Sequence, residues 1–313
     1  VLAACALVSA QEASAQAWPA RAVRIVVAST PGSSPDVVAR LLAQKLTPTF
    51  GQQVVVDNRA GVGGNLGAEA VARAAPDGYT LLLVMSSHAI GMTLYKNLNY
   101  DLARDLVPVA PIASTPTLLV AHPQLPATSV KALIALAKAR PNELLLGSGG
   151  AGTPPHLVAE LFRAAAKISF VHVPYKGISP ALTDLVAGQL QFAFSSLPAV
   201  LSYVRAGRLR ALGVTTAQRS ALVPEVPAIA ETLPGFEALG WFGLAAPAGT
   251  PAMVNERVLA AVQGALAQAD FVEQLRTQGA EPMGASGAQF AAFVGGEIRK
   301  WGAVVKAIDL RPE

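Results

Sequence analysis

Short runs of β-branched and aliphatic residues alternate with helical segments along most of this 313-residue chain. The run Val23–Val27 is followed, after a turn of small residues, by apolar side chains at helical spacing between residues 38 and 46. Strands that alternate with helices of this length are typical of parallel sheets covered by helices on both faces. The pattern predicts an α/β fold of mostly parallel sheets flanked by helices.

The same periodicity assigns the remaining elements. After residue 245, all of the predicted elements are helices. The predicted strands are 23–27, 54–56, 81–84, 118–121, 144–146, 170–173, 192–194, 209–214 and 241–245, and the predicted helices are 66–74, 130–139, 154–165, 251–267, 271–278 and 288–308, with others near residues 181 and 199. Ser286 and Gln289 form a capping box at the start of the last helix. Its apolar stripe is predicted to face the core and consists of Phe290, Phe293, Ile298, Trp301 and Val305.

Composition and length favour two folded units. The chain is 52% apolar and 14% charged, which excludes a disordered protein and supplies enough apolar surface for two cores. Two strand-like stretches, 118–121 and 209–214, bracket a central block. We expect one lobe from residues 18–114 plus 235–313 and a second from residues 115–234, joined by two crossings. Paired crossings make a hinge, and a small ligand would be enclosed in the cleft between the lobes.

Residues 1–17 are predicted to be the remnant of a secretory signal peptide. The first ten are apolar and small, and Ala15-Gln16-Ala17 is an A-x-A cleavage pattern. A first core helix is the alternative. Residues 2–5 also resemble a lipoprotein box with Cys5 as the lipid anchor, which is disfavoured because the required apolar run would lie upstream. Cys5 is the sole cysteine, so the exported protein would have no disulfide, as suits a bacterial periplasmic protein.

Several functional classes are disfavoured. The net charge of +4 is spread without a basic run, so no nucleic-acid partner is expected. The longest later apolar stretch, residues 107–123, is interrupted by prolines and is not expected to span a membrane. No G-x-S-x-G or H-E-x-x-H motif occurs, and the four histidines lack metal-ligand spacing. We therefore expect no enzyme activity, no cofactor and no metal.

Three loops rich in small residues precede predicted helices, at residues 30–36, 61–65 and 147–153. Small residues allow main-chain N–H groups to approach a ligand, and the positive end of a helix dipole favours a negative group. Several such helix ends facing one cleft would bind a carboxylate or phosphate without any arginine.

Four predicted helices begin with a hydroxyl residue followed by proline. The hydroxyl is expected to cap a free N–H, and proline supplies the required φ. These sites are Ser34, Thr153, Ser179 and Thr250. The alternative is efficient helix initiation without a ligand, which is preferred for Thr250.

Three further side chains are candidates. His156 follows Thr153 by three residues, and His88 follows two serines at the end of a strand, so each could donate to a bound anion. A histidine that is satisfied locally is the alternative in both cases. Asp36 lies in the first turn of its helix, where the dipole favours a carboxylate in any case.

Residues 147–152 also satisfy G-x-G-x-x-G, which leaves open an NAD(P)-dependent oxidoreductase. A dinucleotide fold would place an acid about 20 residues later, at the end of the next strand, to hold the ribose. That strand is followed by Tyr175 and Lys176, with no acid, and Pro154 and Pro155 occupy the start of the helix. The dinucleotide interpretation is therefore the less favoured one.

Eight segments after residue 17 share motifs with one known family. They are Trp18-Pro19 with Val23–Val27, Pro31-Gly32 with residues 36–40, residues 57–65, residues 75–81, Gly147-Ser148-Gly149 with His156-Leu157, Tyr175-Lys176-Gly177, residues 208–212 and residues 241–251. On these segments the chain resembles the Bug (TctC-like) periplasmic solute-binding proteins, which serve tripartite tricarboxylate transporters.

The resemblance implies a two-lobed type II periplasmic-binding-protein (Venus-flytrap) fold that holds ligand carboxylates by main-chain amides, hydroxyls and water. It implies a monomeric periplasmic receptor for a small organic carboxylate, such as a di- or tricarboxylate or an aromatic acid. Its partners would be membrane permease subunits or a sensor protein. With the loops above, it gives the expected ligand-binding residues Thr30, Gly32, Ser33, Ser34, Asp36, Asn65, Ser86, Ser87, His88, Ser148, Gly149, Gly150, Gly152, Thr153, His156, Tyr175, Lys176 and Ser195.

The chain departs from the family pattern in two places. Ser33 replaces a second glycine, and Pro35 is unusual before Asp36. Ser195 and Ser196 occupy a region where the family has an aspartate. The added side chains and the lost charge are expected to change the shape of the pocket, and an amino-acid ligand becomes less favoured.

Overall fold

The computed structural model describes residues 18–308, so the predicted signal peptide and Cys5 lie outside the described residues. The described chain forms two β-sheets flanked by helices, which confirms the α/β class. Among residues 18–308, no helix combines the length and the apolar character needed to cross a membrane.

Each sheet contains three parallel strands with antiparallel strands beside them. In chain order the strands are β1 (Val23–Val27), β2 (Val54–Asn58), β3 (Thr80–Met85), β4 (Leu106–Thr115), β5 (Thr117–Ala121), β6 (Leu145–Ser148), β7 (Val171–Pro174), β8 (Phe192–Ser196), β9 (Arg210–Val214), β10 (Gly240–Pro247) and β11 (Glu281–Pro282). The first sheet has the order β11-β4-β10-β3-β1-β2, and the second has the order β7-β6-β8-β5-β9. The parallel sets are β2-β1-β3 and β7-β6-β8, and all other neighbours within the described sheets are antiparallel.

The sheets are therefore mixed, and the prediction of mostly parallel sheets is correct only for these two sets. The antiparallel strands carry the chain from one sheet to the other. β10 begins beside the end of β3, where Phe242 pairs with Met85. β5 begins beside the end of β8, where Thr117 pairs with Ser196. A strand that enters at the carboxyl end of its neighbour must run against it.

The helices lie close to the predicted positions. They are α1 (Ser34–Phe50), α2 (Asn65–Ala72), α3 (Ser86–Leu94), α4 (Val130–Ala139), α5 (Pro154–Ala166), α6 (Ile178–Val186), α7 (Leu197–Arg205), α8 (Ala252–Leu266), α9 (Ala269–Thr277) and α10 (Gly287–Ala307). The predicted helix 130–139 coincides with α4. The predicted stripe of α10 is confirmed, with Phe290, Trp301 and Val305 buried and the other two residues packed against the same core.

The sequence pattern misses β4, α3 and the two-residue strand β11. β4 contains Pro108 and Pro111, which cannot donate to a β-ladder. Pro108 lies opposite Ala245 and Pro111 lies opposite Gly243, next to the two register shifts between β4 and β10, so the missing donors fall at bulges. α3 follows β3 without a turn, and its small, polar first turn carries no apolar periodicity.

The predicted hydroxyl caps are wrong at the four hydroxyl-proline sites, Ser34, Thr153, Ser179 and Thr250. α1, α6 and α8 begin one or two residues away from the predicted starts. Thr153 is the N-cap of α5, but its Oγ1 donates to the carbonyl of Gly150 at 2.7 Å. Pro155 removes one of the N–H groups that a capping oxygen would accept from. The hydroxyls of Thr153 and Thr250 thus close the turn before the helix.

The two passages of the chain between the sheets are hydrogen-bonded to each other. The Thr215 N–H donates to the carbonyl of Thr117 at 2.9 Å, and the Thr117 N–H donates to Thr215 Oγ1 at 3.2 Å. Further along the return passage, the Ala238 N–H donates to the carbonyl of Thr215 at 3.0 Å. The two crossings therefore run side by side and are hydrogen-bonded to each other between the two sheets.

A buried carboxylate joins α10 to β10. Glu297 Oε2 accepts from the indole nitrogens of Trp241 at 3.0 Å and Trp301 at 2.9 Å. Lys300 pairs with the other carboxylate oxygen and also donates to the carbonyl of Glu237 in the return passage. α10 is therefore bonded both to β10 of the first sheet and to the return passage at Glu237.

The capping box of α10 is confirmed and offers a direct stability test. Ser286 Oγ accepts from the Gln289 N–H at 3.2 Å, and Gln289 Oε1 accepts from the Ser286 N–H at 2.9 Å. We expect Ser286→Ala to lower the free energy of unfolding by about 1 kcal/mol, because it leaves a helix N–H without its acceptor. Denaturant unfolding measures this. Ser286→Thr keeps the oxygen and serves as the control, and an equal loss in both variants would contradict the capping role.

Candidate functional site

Helices begin at the carboxyl edge of the parallel strands in both sheets. β1, β2 and β3 lead into α1, α2 and α3, and β6, β7 and β8 lead into α5, α6 and α7. The first N–H groups of an α-helix have no acceptor within the helix and lie at the positive end of its dipole. Open α/β sheets bind ligands at this edge. Each sheet therefore presents three junctions that are suited to an anion.

Both carboxyl edges border the same crossing. In the first sheet, Gly240 pairs with Thr115, and two residues later β10 pairs with the end of β3 at Met85. In the second sheet, Thr117 pairs with Ser196 at the end of β8. Thr115 and Thr117 are two residues apart. The two sets of junctions therefore lie on either side of one short segment rather than at remote ends of the molecule.

Asp36 organises the loop of residues 30–36. Its carboxylate is 3% exposed and accepts from the Gly32 N–H at 2.8 Å, from Arg40 Nε at 3.0 Å and from Asn58 Nδ2 at 2.9 Å. Burial acts to raise the pKa of Asp36, but the hydrogen bonds from Arg40, Gly32 and Asn58 outweigh it and hold that pKa below its ordinary value. The carboxylate stays ionised and fastens the turn.

This fastening corrects the expectation for Gly32. Its N–H is taken by Asp36, so it is not free to face a ligand in this structure. Gly32 has a φ of +78°, in the left-handed region that favours glycine. Ser33 Oγ donates to the carbonyl of Thr30 at 2.6 Å, inside the same loop. Thr30 and Ser34 are exposed at its rim.

Asn65 and His88 are both turned into the protein. Asn65 Oδ1 accepts from the hydroxyl of Tyr100 at 2.8 Å, and both side chains are buried. His88 Nδ1 accepts from the Met85 N–H at 3.0 Å, so the ring proton is on Nε2, which lies against Gly64. Burial lowers the pKa of His88 to about 4. At Nδ1, His88 is therefore satisfied by a local hydrogen bond, which was the alternative to an anion-binding role.

The burial of His88 predicts a pH dependence of stability. Its folded pKa of about 4 lies below the ordinary value of 6.5, so the unfolded chain takes up the proton first. The contribution of His88 is therefore complete above pH 6.5 and is lost as the pH falls toward 4. We expect a loss of about 3 kcal/mol over this range. Denaturant unfolding of wild type and His88→Asn, which keeps an acceptor for Met85, measures it; equal slopes against pH would contradict it.

The start of α3 supplies the clearest donors of the first sheet. Ser86 and Ser87 are its first two residues and follow β3 directly. Their N–H groups have no acceptor within the helix. Ser86 is buried and Ser87 is half-buried. The sequence identified these serines, but as the end of a strand rather than the start of a helix.

In the second sheet, the loop of residues 149–153 is held by side chains that flank it on both sides. Ser148 Oγ accepts from the Gly150 N–H at 3.1 Å, and His156 Nδ1 accepts from the Gly152 N–H at 3.1 Å. The Thr153 N–H donates to the carbonyl of Gly150. The predicted ligand-binding residues Ser148, Gly150, Gly152, Thr153 and His156 therefore bond mainly to one another.

The start of α5 is a poorer donor site than predicted, because Pro154 and Pro155 have no N–H. The start of α6 is the better one. Gly177, at φ +102°, precedes the first helical residues Ile178 and Ser179, and the space beyond its Cα is open. Sequence reasoning missed Gly177 and Ile178. A glycine between a strand and a helix was the available signal.

The remaining candidates differ in their surroundings. The Tyr175 hydroxyl donates to Asp184 at 2.6 Å, and this bond raises the pKa of Tyr175. Lys176 is exposed and forms no ion pair within residues 18–308. Ser195 is 1% exposed, and its Oγ has no hydrogen-bond partner in the described part of the chain. Gly149 lies against the start of α6, because a Cβ added at Gly149 would be 3.1 Å from the Ile178 nitrogen.

The arrangement can bind an anion with neutral donors. The cations near the first loops are already paired, Arg40 with Asp36 and Arg59 with Asp57. In residues 18–308, no three His, Cys, Asp or Glu side chains group as metal ligands would. Nothing at residues 147–152 favours the dinucleotide alternative, since β7 ends at Pro174 and the next acid, Asp184, is bonded to Tyr175.

Comparisons with known proteins identify a family that this chain matches. The family model described as tripartite tricarboxylate transporter family receptor (TctC) matches residues 38–310. Protein BugT of Bordetella pertussis (strain Tohama I) is 41% identical over 296 residues, which are 94% of this chain and 91% of BugT.

Two solved structures share the fold at substantial identity. Rpa4515 of R. palustris, solved with adipate, is 39% identical with a TM-score of 0.77, and the match covers 95% of this chain and 100% of that one. MatC (Rpa3494) of Rhodopseudomonas palustris, solved with bound malate, is 33% identical with a TM-score of 0.73, covering 92% and 100%.

Proposed function

The chain belongs to the tripartite tricarboxylate transporter receptor (TctC/Bug) family of solute-binding proteins, and from this premise we propose that it captures a small dicarboxylate between two lobes. The fold is that of the family's solved members. The lobes would be residues 18–114 plus 235–313 and residues 115–234, each built on one sheet. The protein would act as a receptor and not as an enzyme.

One observation carries the proposal. The carboxyl edges of both parallel sets, with six helix starts, border one of the two crossings, at Thr115 and Thr117. Closure of the two lobes about this crossing would bring neutral N–H donors onto one anion from both sides. Helix N-termini are effective carboxylate sites because their free N–H groups and dipoles act together.

A dicarboxylate fits the donors better than an amino acid does. Asp36 is fully engaged by Gly32, Arg40 and Asn58, and Ser195 offers a neutral hydroxyl. A ligand ammonium would thus lack an acidic partner among these residues. Two relatives were solved with the dicarboxylates adipate and malate, which supports the same ligand class here.

We further propose that the closed form delivers its ligand to the permease subunits of a tripartite tricarboxylate transporter in the bacterial periplasm. Family membership supports both statements. The A-x-A pattern at residues 15–17 suits export by a cleaved signal peptide. The receptor would act as a monomer, and a sensor protein is the alternative partner.

A thermal-shift screen tests the ligand class. At a concentration of about 100 times the Kd, a bound acid stabilises the folded state by about 2.7 kcal/mol, which would raise the Tm by about 4 °C. We expect this result with adipate, malate or a related diacid. Dimethyl adipate is the matched control, since it keeps the chain but removes both charges. A shift with NADH and with none of the acids would contradict the proposal.

A further inference from the structure

A buried and a half-buried histidine stack next to the loop of residues 149–153. The rings of His156 on α5 and His172 on β7 have centroids 3.9 Å apart and planes within 13° of each other. His156 is 5% exposed. His172 is half-buried on β7, the edge strand of the second sheet, and the hydrogen bonds of both rings run toward the loop.

The two rings fix two of the three glycine amides of the loop, those of Gly150 and Gly152. The Gly152 N–H donates to His156 Nδ1 at 3.1 Å. His172 Nε2 lies 2.6 Å from Ser148 Oγ, and the same oxygen accepts from the Gly150 N–H at 3.1 Å. One imidazole thus acts on Gly152 directly, and the other acts on Gly150 through Ser148.

A charged pair lies beside the two rings. Because His156 Nδ1 accepts a hydrogen bond, its proton is on Nε2, which faces Glu160 Oε1 at 3.6 Å. Glu160 is 5% exposed and pairs with Arg163. The charged or titratable groups that act on His172 are His156, Glu160 and Arg163. Burial and His156 lower the pKa of His172 to about 4.

We propose that His156 and His172, backed by Glu160 and linked through Ser148, are positioning residues that hold the 149–153 loop in its ligand-binding shape. This inference rests on the proposed function. The loop lies against the start of α6, since a Cβ added at Gly149 would be 3.1 Å from the Ile178 nitrogen. A change in the loop would therefore move the donors of α6.

Amide exchange in the unliganded protein tests the positioning directly. Hydrogen exchange at Gly152, followed by ¹⁵N NMR at about pH 7.5, should be about tenfold faster in His156→Leu than in wild type, because one net hydrogen bond is lost. His156→Asn places an oxygen close to the Nδ1 position and should restore the protection.

Calorimetry with adipate tests the consequence for binding. We expect His156→Leu to weaken binding about tenfold, and His156→Asn to bind within about threefold of wild type. If adipate does not bind wild type at all, the proposed ligand class is in doubt, but the exchange measurement still decides the positioning role. If His156→Leu does not fold, Ser148→Ala decides it, because this change removes the acceptor of the Gly150 N–H and should speed hydrogen exchange at Gly150 about tenfold. Unchanged Gly152 exchange in His156→Leu, or unchanged Gly150 exchange in Ser148→Ala, would overturn the inference.

Discussion

Replacing Glu297 with leucine is expected to lower the free energy of unfolding by about 4 kcal/mol, the largest stability effect that we predict for a single side chain. The substitution removes the acceptor of two buried indole N–H groups, Trp241 and Trp301, which are 0% and 1% exposed. Each buried unpaired donor costs about 1–3 kcal/mol. Lys300 also loses its ion-pair partner, but it is partly exposed and can turn to solvent.

Denaturant unfolding followed by far-UV circular dichroism measures this loss without using the affected tryptophans as the probe. Glu297→Gln keeps one acceptor oxygen and should retain roughly half of the stability that Glu297→Leu loses. Lys300→Met tests the ion pair separately and should cost about 1 kcal/mol or less, as partly exposed pairs do. A loss below about 1 kcal/mol in Glu297→Leu would contradict the role of the carboxylate.

Replacing Asp36 with alanine is expected to weaken dicarboxylate binding about 100-fold. Without the carboxylate, the Gly32 N–H, Arg40 and Asn58 lose their shared acceptor. The turn would then have to be ordered during binding, at about 1–2 kcal/mol for each residue that is fixed. Two such residues correspond to about two orders of magnitude in the Kd.

Isothermal calorimetry with the acid identified by the screen checks this prediction, with a thermal melt to confirm that the variant is folded. Asp36→Asn is the matched control. It keeps the shape and one acceptor oxygen but loses the charge, so its affinity should lie between those of wild type and Asp36→Ala. If Asp36→Ala is folded and binds as wild type does, Asp36 does not shape the site.

The arrangement of strands and helices was largely predictable from the sequence, because it follows from local apolar periodicity. The start of α10 is an example, where the serine and glutamine of its capping box mark the boundary by their own hydrogen bonds. β4 was not predictable in this way. Its prolines are tolerated only because β10 shifts register beside them, which is a property of the pair of strands.

The candidate site was predictable as a set of loops but not as a set of donors. The glycine-rich and serine-rich loops do follow the strands. Which N–H groups stay free depends on side chains that return to the loop, as Asp36 does to Gly32 and His156 does to Gly152. Such bonds depend on rotamers and packing rather than on spacing. The donors at Ile178 were missed because the start of α6 lies before Ser179 rather than at it.

A crystal structure of the protein grown with adipate, or with the acid that the screen identifies, tests the central claim most directly. We predict that the ligand lies beside the crossing, with carboxylate oxygens within about 3 Å of main-chain N–H groups from both sheets. The starts of α3 at Ser86 and α6 at Ile178 are the expected donors. A ligand held by one sheet alone, or by lysine and arginine side chains away from the helix starts, would contradict the account.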